Sequence, residues 1–125
     1  MEKKVIASPL APKAVGPYSQ AIQTDNTLYV SGQLPINPET GTMAESIEEQ
    51  TAQSLKNLGN ILAEAGFGFE NVVKTTVLLA DIKDFVAMNG VYATHFSGAF
   101  PARVCYQVAA LPMGAKVEID AVAVK

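Results

Sequence analysis

The sequence predicts an α+β domain in which two helices pack on one face of a sheet. Three observations carry this reading. Runs rich in β-branched and aromatic residues open the chain, recur in its middle and close it. Between them lie two segments whose apolar residues fall at helical spacing. The resulting order of strands, helix, strand, helix, strands places the helices together on one side of a sheet. The 125 residues suffice for one core and for a single domain spanning 1–125.

Lys4-Val5-Ile6-Ala7 reads as a short first strand. Pro9, Pro12, Gly16 and Pro17 make the next segment irregular, and a second strand follows from Tyr18 to Gln23. Asp25-Asn26 turns the chain into a third strand, Thr27-Leu28-Tyr29-Val30-Ser31-Gly32, so that the two form a hairpin. Pro35, Asn37, Pro38 and Gly41 mark a loop. The first helix has the strongest signals. Ser46 is the N-cap of a capping box with Glu49 at its third helical position. Ile47, Leu55, Leu58, Ile61, Leu62 and Ala65 form its apolar stripe, and Gly66 stops it.

A long strand follows from Asn71 to Ala80. The second helix begins between Asp81 and Asp84 and runs to about Phe96, with Phe85, Met88, Tyr92 and Phe96 on its inner stripe. Asn89-Gly90 in its middle is costly, because glycine loses about 1 kcal/mol against alanine in a helix; close packing or a site would explain it. The last strands are Arg103–Val108 and Lys116–Val124, expected to form an antiparallel hairpin through Leu111-Pro112-Met113-Gly114.

Composition narrows the function. Nine basic residues against twelve acidic ones give a net charge of −3, which argues against the basic face that a nucleic acid needs. No apolar run approaches transmembrane length, and the N-terminus lacks a signal-peptide pattern. A single cysteine forms no internal disulfide, which fits a cytoplasmic setting. Charged residues are only 17% of the chain, below the roughly 25% of an average domain. A small domain has much surface to solvate, so part of this surface is expected to lie against another copy.

The chain's one arginine, Arg103, interrupts an apolar strand. A guanidinium stays charged at any physiological pH, and burying it unpartnered is costly. By alternation Arg103, Cys105 and Gln107 share one face of their strand, and Glu118 and Asp120 share one face of the next. In a hairpin those polar faces coincide, and Glu118 falls within a residue or two of Arg103. Two readings then fit the residue types. One is a cross-strand ion pair with Glu118 or Asp120. The other is a carboxylate anchor, since a guanidinium grips a carboxylate through two parallel hydrogen bonds, with Glu118 orienting water or exchanging protons. Cys105 has no histidine base nearby and fits a small buried hydrophobe; His95 sits near a helix end. One cysteine and one histidine give no metal-ligand spacing. Tyr29 reads as a core strand residue, whereas Tyr18, after Gly16-Pro17, could present its hydroxyl to a site.

Phe100-Pro101-Ala102-Arg103-Val104-Cys105, then Leu111-Pro112 and Val117-Glu118-Ile119, resemble the signature of the reactive intermediate deaminase (RidA, YjgF-like) family. Gly16-Pro17-Tyr18-Ser19-Gln20-Ala21, Val30-Ser31-Gly32-Gln33-Leu34-Pro35 and Val73-Lys74-Thr75-Thr76-Val77 extend the resemblance along nearly the whole chain. It implies a chorismate-mutase-like fold and a homotrimer around a central barrel, with ligand clefts between subunits and no cofactor. The implied activity is hydrolysis of 2-enamine and 2-imino acids, such as 2-aminoacrylate released by pyridoxal-phosphate-dependent serine or threonine dehydratases, to a 2-keto acid and ammonia. Carried over by residue, Arg103 would bind the substrate carboxylate and Glu118 would act on water. Tyr18, Ser31, Gly32, Asn89 and Cys105 would line the pocket. An arginine beside Glu118 would favour its ionised form. The resemblance also admits a non-catalytic trimer that binds small carboxylates in the same cleft.

Overall fold

A computed structural model describes residues 2–125. Eight main elements follow one another: β1 (Lys4–Ile6), β2 (Ala21–Thr24), β3 (Thr27–Gln33), α1 (Ile47–Glu64), β4 (Val72–Leu79), α2 (Phe85–Tyr92), β5 (Ala102–Gln107) and β6 (Val117–Val124). The strands form one mixed sheet in the order β1-β2-β3-β6-β4-β5.

The first helix forms as its sequence signals require. Ser46 Oγ accepts from Glu49 N–H at 3.1 Å and donates to Glu49 Oε1 at 3.1 Å. At the other end Gly66 takes a left-handed φ of +79°, and the N–H groups of Gly66 and Phe67 donate to Ala63 and Leu62. This closes the helix in a Schellman turn. Leu55, Leu58, Ile61 and Leu62 are fully buried against the sheet, each worth about 1.5–3 kcal/mol relative to exposure. The same helix carries buried polar groups that fix loops. Asn57 donates to the carbonyls of Leu34 and Ile36, and Gln50 donates to Ala44 O while accepting from Lys116 N–H at the start of β6.

Two boundaries differ from expectation. The second strand starts at Ala21, because the Gln20 side chain turns back to brace the preceding loop, accepting from Ser8 N–H and donating to Ser8 O and Pro12 O. The second helix proper ends at Tyr92 and tightens into a 3₁₀ turn at Ala93–His95. Gly90 is exposed and a Cβ there would meet nothing within 4 Å, so close packing inside this chain does not explain it.

The largest difference concerns the last two strands. β5 and β6 do not form a hairpin: β4 lies between them, parallel to β5 and antiparallel to β6. The segment between Gln107 and Val117 therefore carries the chain past β4, and α2 serves as the crossover of a β4-α2-β5 unit. Register then assigns the faces. Arg103, Thr75 and Ala121 align across the sheet, as do Cys105, Val77 and Ile119. This is the helix-covered side, where Thr75, Val77 and Ile119 have no exposure. Glu118, Leu78 and Tyr106 align on the other side, as do Asp120, Thr76 and Val104. That face stays open: Tyr29, Val104 and Tyr106 are about half exposed on it. Tyr29 is thus no core residue, contrary to its sequence reading.

Candidate functional site

Arg103 leaves β5 on the helix side and meets α2. Its Nη1 donates to Asn89 Oδ1 at 2.8 Å. Its guanidinium carbon lies over the Tyr92 ring, 4.9 Å from the centroid, and 5.6 Å from the centroid of Phe85. Both rings are within range for cation–π attraction. Tyr92 is itself fixed, its hydroxyl 2.7 Å from Thr75 Oγ1. Burial pushes the Tyr92 phenol up, offset in part by the Thr75 hydrogen bond and by Arg103. A cavity of about 340 Å³ opens beside the guanidinium, walled by Asn89, Tyr92, Ala93, Phe100 and Pro101. Asn89 in mid-helix thus has a site-based reason, since it faces Arg103; nothing in the structure explains Gly90.

The cross-strand ion pair, one of the two readings of Arg103, does not form within the chain. Glu118 and Asp120 project from the opposite face of the sheet, so the predicted coincidence of polar faces is overturned along with the hairpin on which it rested. Cys105 shares the Arg103 face but packs against the core and lines neither cavity. Burial pushes its thiol up, and Arg103 offsets that only in part, which leaves it a poor nucleophile.

Glu118 belongs to a second, larger cavity of about 580 Å³ on the open side, lined among others by Tyr18, Ser31, Gly32 and Met113. Its carboxyl rests on Gly32: a Cβ at that position would stand 2.9 Å from Glu118 Cδ and 3.0 Å from Oε2. Any side chain there would displace the carboxyl, so glycine keeps Glu118 in this position. Burial, and then the neighbouring Asp120, push the Glu118 carboxyl above its ordinary value. The expectation of an arginine-favoured ionised form is reversed, because no guanidinium of the same chain shares that face. Asp120 is held by accepting from Thr76 N–H at 2.8 Å.

Ser31 Oγ donates to Ser19 O at 2.6 Å, and Ser31 N–H donates to Gln20 O. Its hydroxyl proton is spent on anchoring the segment that carries Tyr18. Tyr18 is about half exposed, its hydroxyl accepting from Val15 N–H at 3.4 Å. The candidate residues thus fall into two groups. Tyr18, Ser31, Gly32 and Glu118 line one cavity; Arg103 and Asn89 line the other. Sequence reasoning missed Tyr92 and Phe85 as partners of Arg103, since their place on the inner stripe of α2 made them look like core alone. Among the described residues no group of three or more His, Cys, Asp or Glu could hold a metal ion, and no helix is long and apolar enough to cross a membrane.

Comparisons with known proteins extend this geometry. The family model described as Endoribonuclease L-PSP matches residues 8–125. A mouse protein named 2-iminobutanoate/2-iminopropanoate deaminase is 55% identical over 124 residues, covering 98% of this chain and 92% of its own. An Arabidopsis thaliana protein named Reactive Intermediate Deaminase A, chloroplastic, is 50% identical over 98% of this chain and 66% of its own. The crystal structure of E. coli TdcF with bound serine superposes with a TM-score of 0.95 at 38% identity, covering 98% of this chain and 99% of that one.

Proposed function

The chain belongs to the Endoribonuclease L-PSP family, which includes proteins named as imine deaminases, and from that premise we propose that it is a hydrolytic deaminase of 2-enamine and 2-imino acids. The observation that carries the proposal is Arg103, a partly buried guanidinium facing an open cavity with a neutral amide and two aromatic rings as its neighbours. Such a group is preorganised for an anionic partner from outside the chain.

The two half-sites become one site when the chain assembles. In a homotrimer, the open sheet face packs around the central barrel and sets the Glu118 cavity of one copy against the Arg103 cavity of the next. Half-exposed Tyr29, Val104 and Tyr106 on that face support this assembly, as does the low charge content. The ligand is a small carboxylate, an imino acid or its keto-acid product.

The chemistry follows from these positions. 2-Aminoacrylate tautomerises to 2-iminopropanoate, and Arg103 fixes its carboxylate. Glu118 takes a proton from water as the water oxygen bonds to the imine carbon, forming a carbinolamine. Glu118 returns that proton to nitrogen to complete the carbinolamine, then carries the carbinolamine hydroxyl proton to the same nitrogen, so that the C=O bond forms as the C–N bond breaks and ammonia and pyruvate leave. A carboxylate within reach of both the water and the imine nitrogen can take and give that proton, and general acid–base help of this kind contributes about 10²–10⁴-fold. Asn89, Tyr18 and Gly32 shape the pocket.

Coupled turnover tests the proposal. A serine dehydratase supplies 2-aminoacrylate, and its decay and pyruvate release are followed with and without this protein. Faster pyruvate release is expected; a rate equal to buffer overturns the enzyme reading. A second reading, a carboxylate-binding protein, is favoured by the serine bound to TdcF. Binding of pyruvate without acceleration would select it.

A further inference from the structure

We propose that Tyr92 is a positioning residue for Arg103, and that Tyr92, Phe85 and Asn89 together hold the guanidinium while leaving its charge unspent. The inference rests on the reading of Arg103 as a carboxylate anchor and adds how the chain keeps that anchor available.

A guanidinium offers five N–H donors in one plane. Asn89 Oδ1 takes one donor on Nη1, at 2.8 Å. Tyr92 and Phe85 attract the cation through their ring faces, at 4.9 and 5.6 Å, without consuming any donor. An aspartate at position 89 would reach the same Nη1, but its charge would cancel the one that a substrate carboxylate needs. The neutral amide aims the fork and leaves its charge to the ligand.

Tyr92 is built to keep its ring in place. Its hydroxyl is tied to Thr75 Oγ1 at 2.7 Å. Thr75 is fully buried and stands directly opposite Arg103 in the β4–β5 register. The same strand pairing thus sets both the root of the arginine and the anchor of the ring over which it lies. Phe96 packs on Tyr92 with centroids 4.8 Å apart, which blocks the ring from swinging away.

The test uses the assembled protein and two stable probes, pyruvate and its uncharged analogue pyruvamide, measured by calorimetry, with KM and kcat from coupled turnover. Asn89→Asp keeps the side-chain shape and adds the charge. It is expected to weaken pyruvate about tenfold or more, the scale of a lost hydrogen bond to a charged group, while pyruvamide binding stays within about twofold. KM should rise accordingly, more than kcat falls. Tyr92→Leu should weaken pyruvate as well, and Tyr92→Phe, which keeps the ring but loses the Thr75 tether, should fall between it and the wild type. An unchanged pyruvate-to-pyruvamide preference in Asn89→Asp overturns the inference, and so does wild-type pyruvate affinity in a folded Tyr92→Leu. Should Tyr92→Leu fail to fold, Tyr92→Phe carries its arm, with wild-type affinity again counting against the inference. A wild type that binds pyruvate without accelerating imine hydrolysis overturns the deaminase reading alone. A wild type that turns over imine while Asn89→Asp keeps its preference overturns this inference alone, and a wild type that does neither overturns both.

Discussion

Arg103, on the helix side of β5, is held by one amide oxygen and two aromatic rings, whereas Glu118, on the open side of β6, rests on a glycine beside a second carboxylate. Each is a partly buried ionisable group, and neither is neutralised by the other, because a layer of sheet separates them. Paired inside one chain they would form an ion pair that a substrate would have to break, at a cost of several kcal/mol. Kept on opposite faces, each is preorganised for a charge or a proton that arrives from outside. The difference between the two faces teaches that one sheet can hold two ionisable groups ready and still keep them from neutralising each other.

The largest effect that can break this comparison comes from mixing subunits. Arg103→Ala and Glu118→Gln should each lower kcat/KM by about 10²-fold or more. Refolded together in equal amounts, the two variants should recover about a quarter of wild-type activity, because a site between copies needs an intact residue from each side. A mixture as inactive as its components would place the whole site in one chain.

Gly32→Ala probes the open face alone. Its methyl would collide with the Glu118 carboxyl, the movable end of a side chain, so the fold should survive while the carboxyl shifts. We expect a fall in kcat/KM of about 10- to 100-fold, the scale of a 1 Å misplacement, with pyruvate binding at Arg103 largely kept. Equal loss of binding and turnover would mean that the two half-sites are less independent than their positions indicate.

Asp120→Asn sharpens the electrostatics. The Asp120 charge opposes ionisation of Glu118, so removing it lets Glu118 lose its proton at lower pH. If ionised Glu118 activates water, the acidic limb of the kcat/KM profile moves to lower pH. Asparagine can still accept from Thr76 N–H through Oδ1, so the backbone contact is preserved. An unmoved limb would assign that titration to another group. Far from both faces, Ser46→Ala should cost about 1 kcal/mol in a urea titration, as lost N-caps do, and leave kcat/KM unchanged.

These contrasts also separate what the sequence made legible from what it did not. The Ser46 N-cap and the Gly66 stop are local signals, settled by neighbours a few residues away, and they appear in the structure where they were read; the capping box closes on the Ser46 hydroxyl instead of its backbone N–H, and the second strand starts three residues later than its run indicated. Alternation correctly grouped Arg103 with Cys105 and Glu118 with Asp120. It could not say which strand lies beside which, and Pro112 and Gly114 looked like a hairpin turn although the chain there passes over β4. That one long-range fact decides whether Arg103 and Glu118 meet. The aromatic cradle was hidden for a similar reason. A tyrosine on the inner stripe of a helix looks alike whether it faces a leucine or a guanidinium.

The fit between Gly32 and Glu118 has a consequence for how such a sequence can drift. The two positions compete for one volume, so a side chain at 32 is compatible only with a shorter residue, or a displaced one, at 118. They should therefore change together. A descendant released from the need for the carboxyl at 118 becomes free to carry a side chain at 32, and that substitution then closes the way back.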